Sequence, residues 1–174
     1  MEIHGNVWKL GDGIGATDLV PARYDKIGMR RDWAQCASHL LEDVEPDFAS
    51  SVRKGDVLVA GSNFGSGHAH YFGAAINACL TAGVGAAFAQ SINGMFFRAA
   101  TDLGLVSWTY GELAEAVQTG DEIRIDLDTG EFRNETTGRE LRLTPPPELI
   151  RSIFRAGGST PWAVQTVRGA TTRA

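Results

Sequence analysis

Short apolar runs punctuated by glycine set the pattern of the first two thirds of the chain, and strictly alternating positions set that of the next part. Residues 57–60, Val-Leu-Val-Ala, form an uncharged run bounded by the turn Lys54-Gly55-Asp56. Such runs suit strands of a parallel sheet, buried on both faces. Further strands are predicted at 6–10, within the apolar run 84–89, and at 105–108. Between them the spacing predicts helices over 69–81, stopped by Gly83, and over 93–102, with Ser91 as N-cap. A shorter helix is predicted at 33–41, ahead of an acidic stretch, 42–47, around Pro46. Strand, helix, strand, helix, strand is the order of a right-handed parallel unit.

After Gly120 the period changes. Residues 122–126 and 140–143 alternate charged and apolar positions, with Asp128-Thr129-Gly130 as a turn. This predicts an antiparallel hairpin with one wet face. Pro145-Pro146-Pro147 opens a final amphipathic helix at 148–156, which Gly157-Gly158 ends. Residues 159–174 show little periodicity and read as a tail, flexible or bound to a partner. The expectation is one α/β domain over residues 1–158, with a mostly parallel central sheet and an antiparallel C-terminal hairpin.

Composition narrows the functions. At 174 residues, with 43% hydrophobic and 21% charged positions, the chain suits one soluble domain. A net charge of −5 with scattered Lys and Arg argues against nucleic acid. The most apolar stretch, 74–89, is broken by Asn77 and Thr81 and is too short to span a bilayer. The start of the chain shows no secretory signal. Cys36 and Cys79 cannot make a disulfide framework or a four-cysteine metal site. A cytoplasmic protein with no metal or cofactor of its own is the expectation.

The most informative chemistry lies in Gly61-Ser62-Asn63-Phe64-Gly65-Ser66-Gly67. This loop leaves a buried strand at its C-terminal end and opens a helix, where α/β sheets bind ligands. Unpaired N–H groups and the helix dipole favour an anion there, with Gly65, Ser66 and Gly67 nearest to it. A tight structural turn is the plainer reading. The loop lacks the lysine of a phosphate-binding P-loop and does not match G-x-G-x-x-G.

His68 and His70 follow directly and could be an acid/base pair, metal ligands, or surface and capping residues. Residues 11–16 resemble a dinucleotide fingerprint, but Pro21 stands where its helix would run. Thr17 and Asp18 face a ligand or cap a turn. Lys26, Arg30 and Arg31 are either a solvated surface or a carboxylate clamp.

Taken in order, several segments resemble the small subunit of isopropylmalate isomerase, counterpart of the swivelling C-terminal domain of aconitase. They are Gly11-Asp12, Thr17-Asp18-Leu19-Val20-Pro21-Ala22-Arg23-Tyr24, the 61–67 loop, Gly83-Val84, Ala89-Gln90-Ser91, Phe96-Phe97-Arg98 and Leu103-Gly104-Leu105. Gly130-Glu131-Phe132-Arg133-Asn134, Thr136-Thr137-Gly138 and Ala156-Gly157-Gly158 complete the set, which covers nearly the whole chain. The resemblance implies a β/β/α swivelling domain and a hydro-lyase active only with a large aconitase-type subunit. That partner would carry a [4Fe–4S] cluster that binds a 2-hydroxy acid, and the small subunit would close over it.

One departure matters. The family follows its G-x-G with Ser-Ser-Arg-Glu-His, whose serine takes the substrate proton and whose arginine holds a carboxylate. Here the positions read His68-Ala69-His70-Tyr71-Phe72, with about two extra residues before the helix realigns at Gly83. The turn Gly13-Ile14-Gly15-Ala16 is one residue longer than the family's. Two accounts compete. Either His68 or His70 replaces the serine, with Lys26, Arg30 or Arg31 as the clamp, on a substrate that need not be isopropylmalate. Or the chain is a silent structural or regulatory subunit, or a stand-alone carboxylate-binding module.

Overall fold

The computed structural model describes residues 1–171. Seven strands make one sheet in the order β4-β3-β2-β1-β5-β6-β7. They are β1 (Glu2–Lys9), β2 (Val57–Ala60), β3 (Ala86–Ala89), β4 (Ser107–Thr109), β5 (Glu122–Asp126), β6 (Glu131–Asn134) and β7 (Glu140–Arg142). The helices are α1 (Ala16–Leu19), α2 (Asp25–Met29), α3 (Trp33–Ala37), α4 (Phe48–Ser51), α5 (Phe72–Ala82), α6 (Gly94–Leu103), α7 (Leu113–Ala116), α8 (Glu148–Ala156) and α9 (Ser159–Thr171).

β1 is the hinge between two kinds of pairing. It runs parallel to β2 through Val7–Val57 and antiparallel to β5 through Ile3–Ile125. The parallel half continues through β3 to β4. The antiparallel half continues through β6 to β7, a three-stranded meander where the alternation predicted a two-stranded hairpin. β1 also starts four residues earlier than predicted. Its early residues alternate against β5 on a half-wet face, so polar His4 and Gly5 hid the strand.

Alternate residues of the central strands feed two cores. Leu58, Ala60, Ala87 and Ala89 pack under α5, α6 and the excursion between β1 and β2. Val57, Val59, Ala86 and Phe88 face the other way, toward Ile123, Ile125, Leu113 and Phe154. Burial on both faces is why those strands carry no polar residue.

Three ends differ from the sequence pattern. The predicted helix 33–41 ends at Ala37, and Leu41 takes a left-handed φ of 60°. Asn93, rather than Ser91, caps α6, its side chain accepting from the N–H groups of Met95 and Phe96. Residues 159–171, where no element was predicted, form α9, which meets α6 and α8. Its exposed Val164 and Val167 leave no clean apolar stripe to read. Residues 172–174 of the expected tail lie outside the described residues.

Among the described residues no helix is long and apolar enough to cross a membrane. Both cysteines are fully buried. Burial raises the Cys36 thiol above its ordinary value and pushes Cys79 up to about 12. Thiol reagents near neutral pH are therefore expected to react about a hundredfold or more slower with native than with denatured protein. Rapid labelling of either cysteine in the folded chain would contradict this burial.

Candidate functional site

The site is built where the turns after β1 and β2 leave the sheet side by side. Gly61 N–H donates to Gly11 O at 3.1 Å, and Gly13 N–H to Ser62 O at 2.7 Å. The Asp12 carboxylate accepts from Ser62 N–H at 2.6 Å. A Cβ on Gly61 would sit 2.0 Å from Asp12 Oδ1, so only glycine lets that carboxylate in. The turn after β3 braces the far side: Ser91 Oγ accepts from Asn63 N–H and Ser91 O from Phe64 N–H, at 2.8 and 2.9 Å. Gly65 N–H donates to Ile14 O at 2.8 Å.

Every amide from Gly61 to Gly65 is thus committed to a neighbouring turn. Gly65 itself is held at φ 74° against the Phe96 ring, and its N–H is not open to a ligand. Beyond Ser66 the pattern reverses. Ser66 pairs with Gly15 in an isolated bridge, its O accepting from Ala16 N–H at 2.8 Å, but the N–H groups of Gly67, His68, Ala69 and His70 have no acceptor among the described residues. They lie on an exposed stretch leading through a 3-10 turn, Ala69–Tyr71, into α5. A row of unpaired N–H groups before an 11-residue helix is a favourable place for a carboxylate.

Thr17 and Asp18 belong to the same corner. Gly15 pairs with Ser66 in an isolated bridge, and Asp18 Oδ2 accepts from Gly15 N–H at 2.7 Å. That bond makes Asp18 a cap of α1 standing beside the open amides. Thr17 is half-buried next to it.

Both His68 and His70 are exposed, their ring centroids 6.0 Å apart, and His70 lies 3.8 Å from the Tyr71 ring. Neither ring has a hydrogen-bond partner among the described residues. Lys26, Arg30 and Arg31 are exposed on and just after α2, which rests on α5 where Gly28 meets Ala74, one turn beyond His70. The structure therefore gathers Thr17, Asp18, Ser66, Gly67, His68 and His70 at one corner and sets the three cations on the flank of the same helix. Asp12 and Ser91, which shape the loop, were not read as part of the site because their partners come from another turn.

A hollow of about 570 Å³ elsewhere is not a rival site. It lies over β5–β7, and its charges satisfy each other: Arg133 with Glu140, Arg142 with Glu131, Arg124 with Glu2. No group of three or more His, Cys, Asp or Glu side chains among the described residues could hold a metal ion. An iron–sulfur cluster needs accessible thiolates, and two fully buried thiols do not fit one.

No protein-family model matches the chain. It is 40% identical over 156 residues to 3-isopropylmalate dehydratase small subunit 1 of Thermotoga maritima, covering 90% of this chain and 91% of that one. The 3-isopropylmalate dehydratase small subunit of Nautilia profundicola is 39% identical over 166 residues, covering 95% and 96%. The crystal structure of 3-isopropylmalate dehydratase from Methanocaldococcus jannaschii superposes with a TM-score of 0.87 at 28% identity, over the full length of both. The chain belongs to the small-subunit family of 3-isopropylmalate dehydratase, an aconitase-type hydro-lyase.

Proposed function

We propose that this chain closes over a 2-hydroxy carboxylic acid presented by a large subunit and takes part in removing and re-adding water. The observation that carries this reading is the run of four N–H groups, Gly67 to His70, without an acceptor among the described residues and with two exposed imidazoles on it. The amides hold one carboxylate of the acid. An imidazole, His68 or His70, accepts the proton from the carbon beside the hydroxyl-bearing one. The C=C bond then forms as the hydroxyl leaves, and the reverse steps add water back.

By the family resemblance, the large subunit's [4Fe–4S] cluster supplies Lewis-acid chemistry at the hydroxyl, and this chain contributes no ligand to it. The openness of the corner fits a division between two subunits: backbone and imidazoles are in place, and the opposite wall is not part of this chain. Lys26, Arg30 and Arg31 are the source of a second anion contact in place of the family's arginine. The relatives' names make 3-isopropylmalate the first acid to test. The loss of that arginine favours a guest whose second carboxylate is gripped differently.

The test is co-expression with a cluster-bearing large subunit and assay against 3-isopropylmalate and other substituted malates. Hydration or dehydration of at least one of them is expected, with none from either subunit alone. A stable complex that turns over none would favour a silent, structural subunit, and absence of any complex a stand-alone carboxylate binder.

A further inference from the structure

Between α1 and β2 the chain makes a long excursion, and its first part, residues 20–43, closes on itself as a loop. At its mouth, Arg23 forks onto both oxygens of Asp43 at 2.6 and 2.8 Å and also contacts Glu42. One oxygen of Glu42 accepts from Tyr24 Oη at 2.9 Å, and the other pairs with His39 Nδ1 at 2.7 Å. The rings of Tyr24 and His39 stack at 3.7 Å, 13° from parallel. The Leu41 N–H donates to Leu19 O at 2.8 Å, drawing together the two ends of this loop of residues 20–40.

Between those ends lie Lys26, Arg30 and Arg31, exposed and without an ion pair or side-chain hydrogen bond among the described residues. The nearby acid Asp32 is spent on the Gln35 N–H. One arginine of the excursion is therefore multiply paired while three cations beside it are left open.

We propose that Glu42 is a positioning residue. With Arg23, Tyr24, His39 and Asp43 it ties off the loop, so that Lys26, Arg30 and Arg31 are held on the flank of α5 facing an incoming anion. Single surface ion pairs contribute little, but Glu42 joins three partners at once, two of them stacked rings. Burial alone would raise the Glu42 carboxyl, yet the bonds from His39, Tyr24 and Arg23 outweigh it and hold it below its usual range. Arg23 does the same for Asp43. Close packing of Gly28 on Ala74, where an added Cβ would come within 2.9 Å, means that any slack at the knot is felt along α5. The proposal rests on the reading of the three cations as an anion clamp.

Two measurements test it. In the full chain, Glu42→Gln is expected to speed amide hydrogen exchange over residues 25–38 by about tenfold or more, with β2 and β3 unchanged. In the reconstituted enzyme it is expected to raise KM about tenfold and to leave kcat within about twofold. Tyr24→Phe should give a smaller change of the same kind. Unchanged exchange in Glu42→Gln, or a fall in kcat at constant KM, would overturn the assignment. A variant with Lys26, Arg30 and Arg31 all changed to glutamine separates the two ideas. If it leaves KM unmoved, the clamp fails, and Glu42 with it as a positioning residue for substrate. If it raises KM without changing exchange, clamp and knot are distinct and both stand.

Discussion

Replacing the imidazole that takes the substrate proton is expected to lower kcat of the reconstituted enzyme by about 10²–10⁴-fold, with little change in KM. His68→Ala and His70→Ala should not behave alike. A single proton passes to a single base, and the two rings stand 6.0 Å apart in different surroundings. His68 stands on extended backbone at the entry to the 3-10 turn, next to the open amide of Gly67. His70 leans on Tyr71. The larger loss is therefore expected at His68, and a modest one at His70. Both rings are exposed, so neither substitution should shift Tm by more than a few degrees. A loss of turnover with unchanged melting marks a chemical role. Unchanged turnover in both variants would return the silent-subunit reading to first place.

The second large effect is on the loop itself. Gly65→Ala is expected to destabilise the protein by about 2–4 kcal/mol. Two causes act together. At φ 74° an L side chain is strained, and the new Cβ would come within 2.3 Å of the Phe96 ring. Phe96 cannot step aside easily, because it is fully buried and packs edge-on against both Phe64 and Phe72. Relief must come from the loop, which would pull Gly65 N–H off Ile14 and shift the amides beyond it. Substrate binding should fall with stability, in contrast to the histidine variants. Urea unfolding together with a KM measurement checks both. A Gly65→Ala protein as stable as the parent would mean the loop can take another path.

The central strands and the glycine-rich turn could be read from residues alone because their constraint is local. Four consecutive buried positions in β2 exclude polar residues, and closely spaced glycines after them mark a tight turn, although the side chains that exclude a Cβ at Gly61 and Gly65, Asp12 and Phe96, come from elsewhere in the chain. Which amides remain open could not be read. Ser62, Asn63 and Phe64 lose theirs to Asp12 and Ser91, and those partners arrive only when three turns meet above the sheet. Ser91 made a credible helix cap by its position, yet folding gave that task to Asn93 and turned Ser91 toward the loop. The stretch 42–47 read as an acidic connection. Glu42 and Asp43 gain meaning only from Arg23, Tyr24 and His39, which no periodicity links to them. The belt of α9 was hidden for the opposite reason: most of its side chains face water and carry no pattern.

The division of labour within the turn after β2 has an evolutionary consequence. On the proposed reading, main-chain hydrogens grip an anion whatever residue bears them, and the four from Gly67 to His70 do not depend on which side chains those positions carry. A lineage can therefore rewrite the reactive side chains of this segment without first giving up its hold on a carboxylate. New chemistry can be tried on a guest that still docks.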